Sequence, residues 1–364
     1  MKGNLRVLAF HLPQFHEIPE NNEWWGEGFT EWTNTKKSKP LYKMHNQPRT
    51  PYKEDYYDLT DEKALKRQMS LAKKAGLDGF CYYHYWFDGK LLLEKPLEIM
   101  RKLDERIPYC FCWANEPWIR SWEGSREVLV EQNYPGEEDW KKHFDYFLDF
   151  FKDEKYIKVD NKPVLVLYKT KSITDCDDMV KYWDERCRKE GFDGIYIVEE
   201  LNGFQDEAYS SESKAYLEFE PLFSTKFGRS KKDRAVDYAV KTAFNLLHGT
   251  KCLLYSYKRI WKNILNRRHK EFEGKSICLG AFVDWDNTPR RAEHSTFFYG
   301  AKPSRFEKYM RLQIKNAEEL DSPFIFINAW NEWGEGTYLE PDMKYGYGYL
   351  KALQRVMGEE SDAE

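Results

Sequence analysis

Two hydrophobic patterns alternate along the chain. Short, almost uncharged apolar runs, the signature of strands buried on both faces, are expected at 5–11, 77–86, 107–113, 163–168, 194–198, 215–219, 276–283 and 324–329. Between them, apolar residues recur three and four positions apart, which predicts helices over 61–74, 91–103, 137–151, 177–190, 232–247, 304–320 and 347–357. The first of these helices is well delimited: Thr60 can cap it, Leu65, Met69, Leu71 and Ala72 form its stripe, and Gly76 ends it. Strand and helix alternating in this way imply parallel strands joined by crossovers. At 364 residues the expectation is an α/β fold, a single (β/α)8 TIM barrel with long βα loops, spanning 1–357 as one domain.

Three stretches depart from the pattern. The loop over 13–59 is too long to be mere connection and carries NNEWWGEGFTEWTN, with Trp25 in it. Residues 248–275 form a basic, aromatic insertion with two readings, a solvated helix or an amphipathic lid or surface that meets an anionic lipid or diphosphate. The tail 358–364 is acidic, lacks large apolar residues and is expected to be disordered.

In such barrels the chemistry collects where strands end. Here the strand ends carry His11; Tyr83, His84, Tyr85 and Trp86; Trp113, Asn115, Glu116 and Trp118; Glu199 and Glu200; Asp284, Trp285 and Asp286; and Glu332 with Glu335. The last strand runs into PFIFINAWNEWGEGTYLEP, where Trp330, Asn331 and Trp333 surround the two glutamates, and Gly334 and Gly336 let the backbone turn and come close to a ligand. Two carboxylates three residues apart, flanked by indoles, suit hydrolysis of a sugar acetal: one gives a proton to the leaving oxygen and one acts opposite, while flat faces stack on pyranose rings. Glu332 and Glu335 are therefore the candidate catalytic pair, with Glu335, beside the glycines and Trp333, expected to have the raised pKa of the acid. The competing reading is a strand end with solvated acids.

Composition adds a carbohydrate bias. Aromatic residues make up 17% of the chain, with 13 Trp and 25 Tyr, more than packing needs, and many lie in Gly-, Asn- and Glu-rich loops. A net charge of −4, with both signs spread along the chain, argues against nucleic acid as a partner. No window approaches the apolar length that crosses a bilayer, and the first residues lack the pattern of a secretory signal, so a cytoplasmic location is expected, with peripheral membrane contact left open. Cys81, Cys110, Cys112, Cys252 and Cys278 fall in strand-like runs as small apolar side chains, and no second pair completes a zinc site, so neither metal nor cofactor is expected.

The stretches AFHLPQFH, WWGEGFTEW, WANEPW, WDNTPRR and WNEWGEGTYLEP resemble the WbsX-type proteins of bacterial polysaccharide gene clusters over nearly the whole chain. Those are similar in turn to the family 99 glycoside hydrolases, the endo-alpha-mannosidases, through the barrel and the E-W-x-E-G-T core. The resemblance implies retaining attack on an alpha-linked sugar without a glycosylated enzyme carboxylate. Glu332 would take the proton of the substrate's 2-hydroxyl, which closes on the anomeric carbon as an epoxide, and Glu335 would protonate the leaving oxygen. The sequence departs at Gly334, where the hydrolases carry His.

The expected substrate-binding residues are His11, Trp25, Tyr83, His84, Trp113, Asn115, Glu116, Glu199, Asp284, Trp330, Asn331 and Trp333, with Glu116 a reserve catalytic carboxylate. For the two histidines the alternative is a core imidazole. Arg290 and Arg291 offer a clamp for a sugar carboxylate or phosphate, or surface ion pairs. The expected partner is an oligo- or polysaccharide, lipid-linked in one version. Two functions compete with the hydrolase: a glycosyltransferase of lipopolysaccharide, O-antigen or capsule synthesis, for which Asp175-x-Asp177 and Asp284-x-Asp286 match the metal-holding D-x-D pattern, and a non-catalytic glycan-binding protein.

Overall fold

A computed structural model describes residues 5–122 and 125–358, so the acidic tail beyond Gly358 lies outside the described residues. Eight strands form its centre: β1 (Arg6–His11), β2 (Gly79–Phe87), β3 (Tyr109–Trp113), β4 (Lys162–Leu167), β5 (Tyr196–Leu201), β6 (Ala215–Glu218), β7 (Ser276–Phe282) and β8 (Phe324–Asn328). Each pairs in parallel with its neighbours, and β1 pairs with both β2 and β8, which closes the ring. The architecture is the expected (β/α)8 barrel. Its helices are α1 (Glu62–Lys74), α2 (Lys95–Arg101), α3 (Glu137–Phe151), α4 (Cys176–Lys189), α5 (Lys231–His248), α6 (Tyr257–Leu265), α7 (Pro303–Glu319) and α8 (Gly348–Met357), all but α5 forming the outer layer.

Every residue of β2 is buried, because one face looks into the barrel and the other onto helices. The two faces differ in kind. Phe10 meets Tyr83, Phe219 and Phe326 across the interior, with ring centroids 5.2–5.5 Å apart. Its neighbour His11 turns the other way, onto Gln68 of α1.

Several boundaries move. Asp61, not Thr60, caps α1, accepting the Lys63 N–H at 2.9 Å, because Thr60 is engaged by Asp58. The helix expected over 91–103 shrinks to α2, since Lys90–Leu92 turn back as a short strand on β2. The long first loop folds into helices Pro19–Trp25 and Glu31–Lys37 and lies over the end of β8.

The expected insertion is the largest correction. Residues 253–256 pair with Thr296–Tyr299, and α6 buries Tyr257, Ile260, Trp261 and Ile264 in the main core. The Trp261 ring stacks 5.5 Å from Phe282 of β7 and 5.4 Å from Tyr309 of α7. Burying a side chain of this size contributes roughly 1.5–3 kcal/mol, so α6 is a fixed part of the barrel wall and not a lid. The element without a place in the regular pattern is α5.

Candidate active site

The last loop sets the site. Beyond β8, the Trp330 N–H donates to the Phe10 carbonyl at 2.7 Å, and the Asn331 side chain bonds both backbone groups of Leu12 at 2.7 and 2.9 Å. Asn331–Glu332 then pair with Thr337–Tyr338 around a tight turn at Trp333–Glu335. Gly336 makes that turn at φ 63°, and a Cβ there would collide with the Asp286 backbone, whose N–H donates to the Glu335 carbonyl at 2.7 Å. Trp333 packs inward, 3.8 Å from the Tyr338 ring, its indole N–H donating to Glu340 at 2.7 Å. The indoles of the motif thus serve as supports. The glutamates are left facing the barrel mouth.

One guanidinium joins them. Arg290, on the short helix Thr288–Arg291 after β7, donates from Nη2 to Glu332 at 3.2 Å, from Nη1 to Glu335 at 2.8 Å and from Nε to Glu31 at 3.0 Å. Glu31 comes from the first loop, and only 3% of its side chain is exposed, against 8% for Glu332, 25% for Glu335 and 31% for Arg290. Gly334 is explained by this cluster: a Cβ built on it would fall on the Glu31 carboxylate and against Arg290 Nε. Where the hydrolases of the resemblance carry His, this chain places an ion pair from two other loops.

Three carboxylates around one cation leave an excess of negative charge. Burial pushes the Glu332 carboxyl up to about 8, against the pull of Arg290 and with added repulsion from Glu335 and Glu31. Glu335 also rises through burial, partly offset by Arg290. The sequence assigned the raised pKa to Glu335 alone. The two titrate together, and burial favours the retention of a shared proton.

The opposite wall comes from β2 to β5. Tyr83 and Tyr85 stand close enough to Glu332 for its charge to help hold their phenols protonated, after the larger effect of burial. Tyr168 adjoins Glu116, Glu200 and Glu335. Glu116 pairs with Lys169. Glu200 is buried, raised well above the carboxylate range by desolvation, and its Oε2 has no partner. Tyr85 leads by aromatic contact to Trp118 at 5.3 Å and on to Trp24 at 5.8 Å. Trp25 lies on the rim, 41% exposed, with the Arg120 guanidinium 5.0 Å from its ring.

The mouth therefore gathers Glu332, Glu335, Tyr83 and Glu116 of the expected residues, with Trp25 at its rim. Others lie elsewhere. His11 bonds Gln68 at 2.9 Å, and His84 bonds His143 of α3 at 2.8 Å; both are core imidazoles whose pKa burial lowers. Trp113 packs against His143 and Trp183 in the helix layer. Asn115 ties Tyr134 to the Lys169 backbone, and Glu199 accepts from Thr170, Ser213 and the Tyr209 and Ser210 N–H groups. Trp330, Asn331 and Trp333 are buried supports.

Asp284 binds Arg49 at 3.0 Å, while Asp286 accepts from His45, Gln47 and Thr288, so both carboxylates hold the first loop down. Asp177 is likewise engaged by Ser210 and Ser211. Tyr85, Tyr168, Glu200, Glu31 and Arg290 as a bridge were not among the expected site residues, although Tyr85 and Glu200 were noted at their strand ends. Strand alternation could have exposed the first and third, whose neighbours were chosen instead.

A parallel barrel with its charged groups converging on the C-terminal mouth is the usual arrangement of (β/α)8 enzymes. The structure resembles a glycoside hydrolase-like protein with a TM-score of 0.58 and 13% identity, covering 97% of this chain and 93% of that one. It also resembles the GH99 endo-alpha-mannosidase from Bacteroides thetaiotaomicron with a TM-score of 0.54 and 10% identity, covering 98% and 96%. Identities this low speak for the fold. Residues 7–353 match the family described as Glycosyltransferase WbsX, and the chain belongs to that family. The protein WxcX from Xanthomonas campestris pv. campestris (strain B100) is 32% identical over 358 residues, 96% of this chain and 49% of that protein, so the chain spans about half the length of the curated relatives it matches. Among the described residues no helix is long and apolar enough to cross a membrane. Family and fold together suggest a polysaccharide-active enzyme.

Proposed function

We propose that the barrel mouth cleaves or rearranges alpha-linked glycosidic bonds of a surface polysaccharide or its precursor, with retention. The observation that carries this reading is the Glu332–Glu335 pair at the barrel mouth, both bound to one guanidinium at 3.2 and 2.8 Å; burial raises both carboxyls, which favours one shared proton. A mechanism assisted by the 2-hydroxyl needs that stoichiometry, one carboxyl protonated and one ionised. When a substrate hydroxyl docks against Glu332, that carboxylate takes the hydroxyl proton while the oxygen closes on the anomeric carbon. The proton of the resting pair, moved to Glu335, goes to the leaving oxygen. Water then opens the epoxide, and the configuration is retained. Tyr83, Tyr85 and Trp118 form the wall against which a ring stacks, and Glu116 with Lys169 bonds hydroxyls.

The test uses purified wild type and Glu332→Gln on the host's surface polysaccharide and its lipid-linked precursor, scoring new reducing ends with and without sugar nucleotides. New reducing ends from wild type alone, independent of nucleotide and with unchanged anomeric configuration, support the reading. The family description favours a second reading, a glycosyltransferase of polysaccharide synthesis. Chain extension with release of nucleoside phosphate would replace the hydrolase reading with that one.

A further inference from the structure

Helix α5 is pinned on one side and bare on the other. Its inner side buries Asp237, which is gripped by both Arg229 and Arg259. Phe244 packs 5.3 Å from Tyr42 and 5.4 Å from Phe297, both from loops at the mouth end of the barrel. Asn245 accepts from the Cys252 N–H at 3.1 Å and donates to its carbonyl at 3.0 Å. Ser230 caps the start, and Gly249 at φ 65° ends it. The helix is thus a fixed rim element beside the mouth.

The outer side is apolar without a covering. Ala235, Val236, Ala239, Ala243, Leu246 and Leu247 recur at helical spacing and are all exposed, Leu246 by 82% and Leu247 by 78%. Single exposed leucines are ordinary, but a continuous stripe over a helix of this length is not. Its ends and flanks are basic: between Arg229 and Lys251 there are six cations and two aspartates, one of them the buried Asp237, in a chain whose net charge is −4. Lys231 and Lys232 stand in the first turn, where the helix dipole disfavours cations. Their placement costs helix stability and serves no internal ion pair among the described residues.

We propose that this face of α5 docks on an anionic phospholipid surface, with Leu246, Leu247 and Val236 entering the headgroup boundary and Lys231 and Lys232 meeting lipid phosphates. An apolar stripe flanked by cations is the chemistry of interfacial helices, and charge complementarity selects a membrane over a neutral protein face. Docking there sets the barrel mouth beside the bilayer, where a glycan carried on a lipid is within reach. The inference does not depend on which reaction the mouth performs.

The test is co-sedimentation of the whole protein with vesicles of phosphatidylglycerol and phosphatidylcholine, against pure phosphatidylcholine, at low and raised salt. Binding is expected only with the anionic vesicles and is expected to fall several-fold as salt screens the lysines. Leu246→Glu with Leu247→Glu should weaken it at least tenfold, and Lys231→Glu with Lys232→Glu severalfold, while far-UV circular dichroism and the thermal midpoint stay as in wild type. Equal binding to neutral vesicles, no binding at all, or an unaffected Leu246/Leu247 variant would overturn the proposal. Ultracentrifugation of the same proteins supplies the last outcome: a wild-type dimer that the leucine variant dissociates would reassign the face to self-association.

Discussion

Replacing Glu31 by Gln removes one of the three charges around Arg290 and leaves the shape nearly unchanged. Glu31 and Glu332 hold different edges of one guanidinium. At an effective dielectric of about 20, a unit charge about 5 Å away acts with roughly 3 kcal/mol, or about two pK units. Arg290 stands between the two and is about a third open to water, so screening reduces this to about one unit. The repulsion that Glu31 adds to the burial of Glu332 is lost, and the group now held up to about 8 should titrate about one unit lower. The basic limb of kcat/KM for glycosidic cleavage should move to lower pH by that amount, and a carbon NMR titration of labelled Glu carboxyls should show the same shift without turnover. A limb and a titration that stay in place, or move to higher pH, in a variant with an unchanged thermal midpoint would refute the idea that Glu31 sets the charge state of the pair.

Stability should also depend on pH. Glu332 and Glu340 are raised to about 8 and about 7 by burial, above the ordinary carboxylate value of about 4.3. The folded chain therefore keeps protons that the unfolded chain releases, and this contribution is lost as pH rises through those values. His11, His84 and His143 are lowered by burial and act in the opposite sense, but only below about pH 6.5. Between pH 6.5 and 8, denaturant titrations should show stability falling, and Glu332→Gln should make that fall smaller by about 1–2 kcal/mol. Glu199→Gln should cost about 1–3 kcal/mol in chemical denaturation by turning an amide onto donors that now meet a carboxylate; an unchanged midpoint would show that the contacts from Thr170, Ser213, Tyr209 and Ser210 do not hold the end of β5. Gly334→Ala should displace Glu31 and Arg290, cost about 1–3 kcal/mol by overpacking and reduce kcat/KM at least a hundredfold, checked by thermal melts and kinetics.

The barrel was legible because strand and helix periods alternate without ambiguity, and helix Glu137–Phe151 lies where its pattern put it. The face of each strand end was not, because in strands buried on both sides hydropathy does not mark which side looks inward. His84 was chosen beside Tyr85, and Glu199 beside Glu200, one position out of phase in each case. A second loss came from reading exposed function into Trp330, Trp333 and Asn331. These large and amphipathic residues close to the glutamates are what holds the turn rigid from beneath. The Glu31–Arg290 bridge could not be read, since 259 positions separate the partners: Arg290 stood out as a clamp or ion-pair residue, but nothing local pointed to Glu31 as its partner. Residues 248–275 stood out as an insertion because they are basic and aromatic, and composition alone did not show that the apolar side of α6 faces the core.

The cluster around Arg290 also has a temporal consequence. Its parts follow β1, β7 and β8, and the turn carrying the glutamates is braced on Leu12 and Phe10, so it spans the seam where the first and last strands of the ring meet. Contacts so remote in sequence form late, after the loop-closure cost has been met. During synthesis, the chain up to β7 can build most of its wall and still lack both glutamates and the strand that brings Glu31 to them. The charged centre exists only once the ring has closed, so a nascent or truncated chain carries no half-assembled version of it.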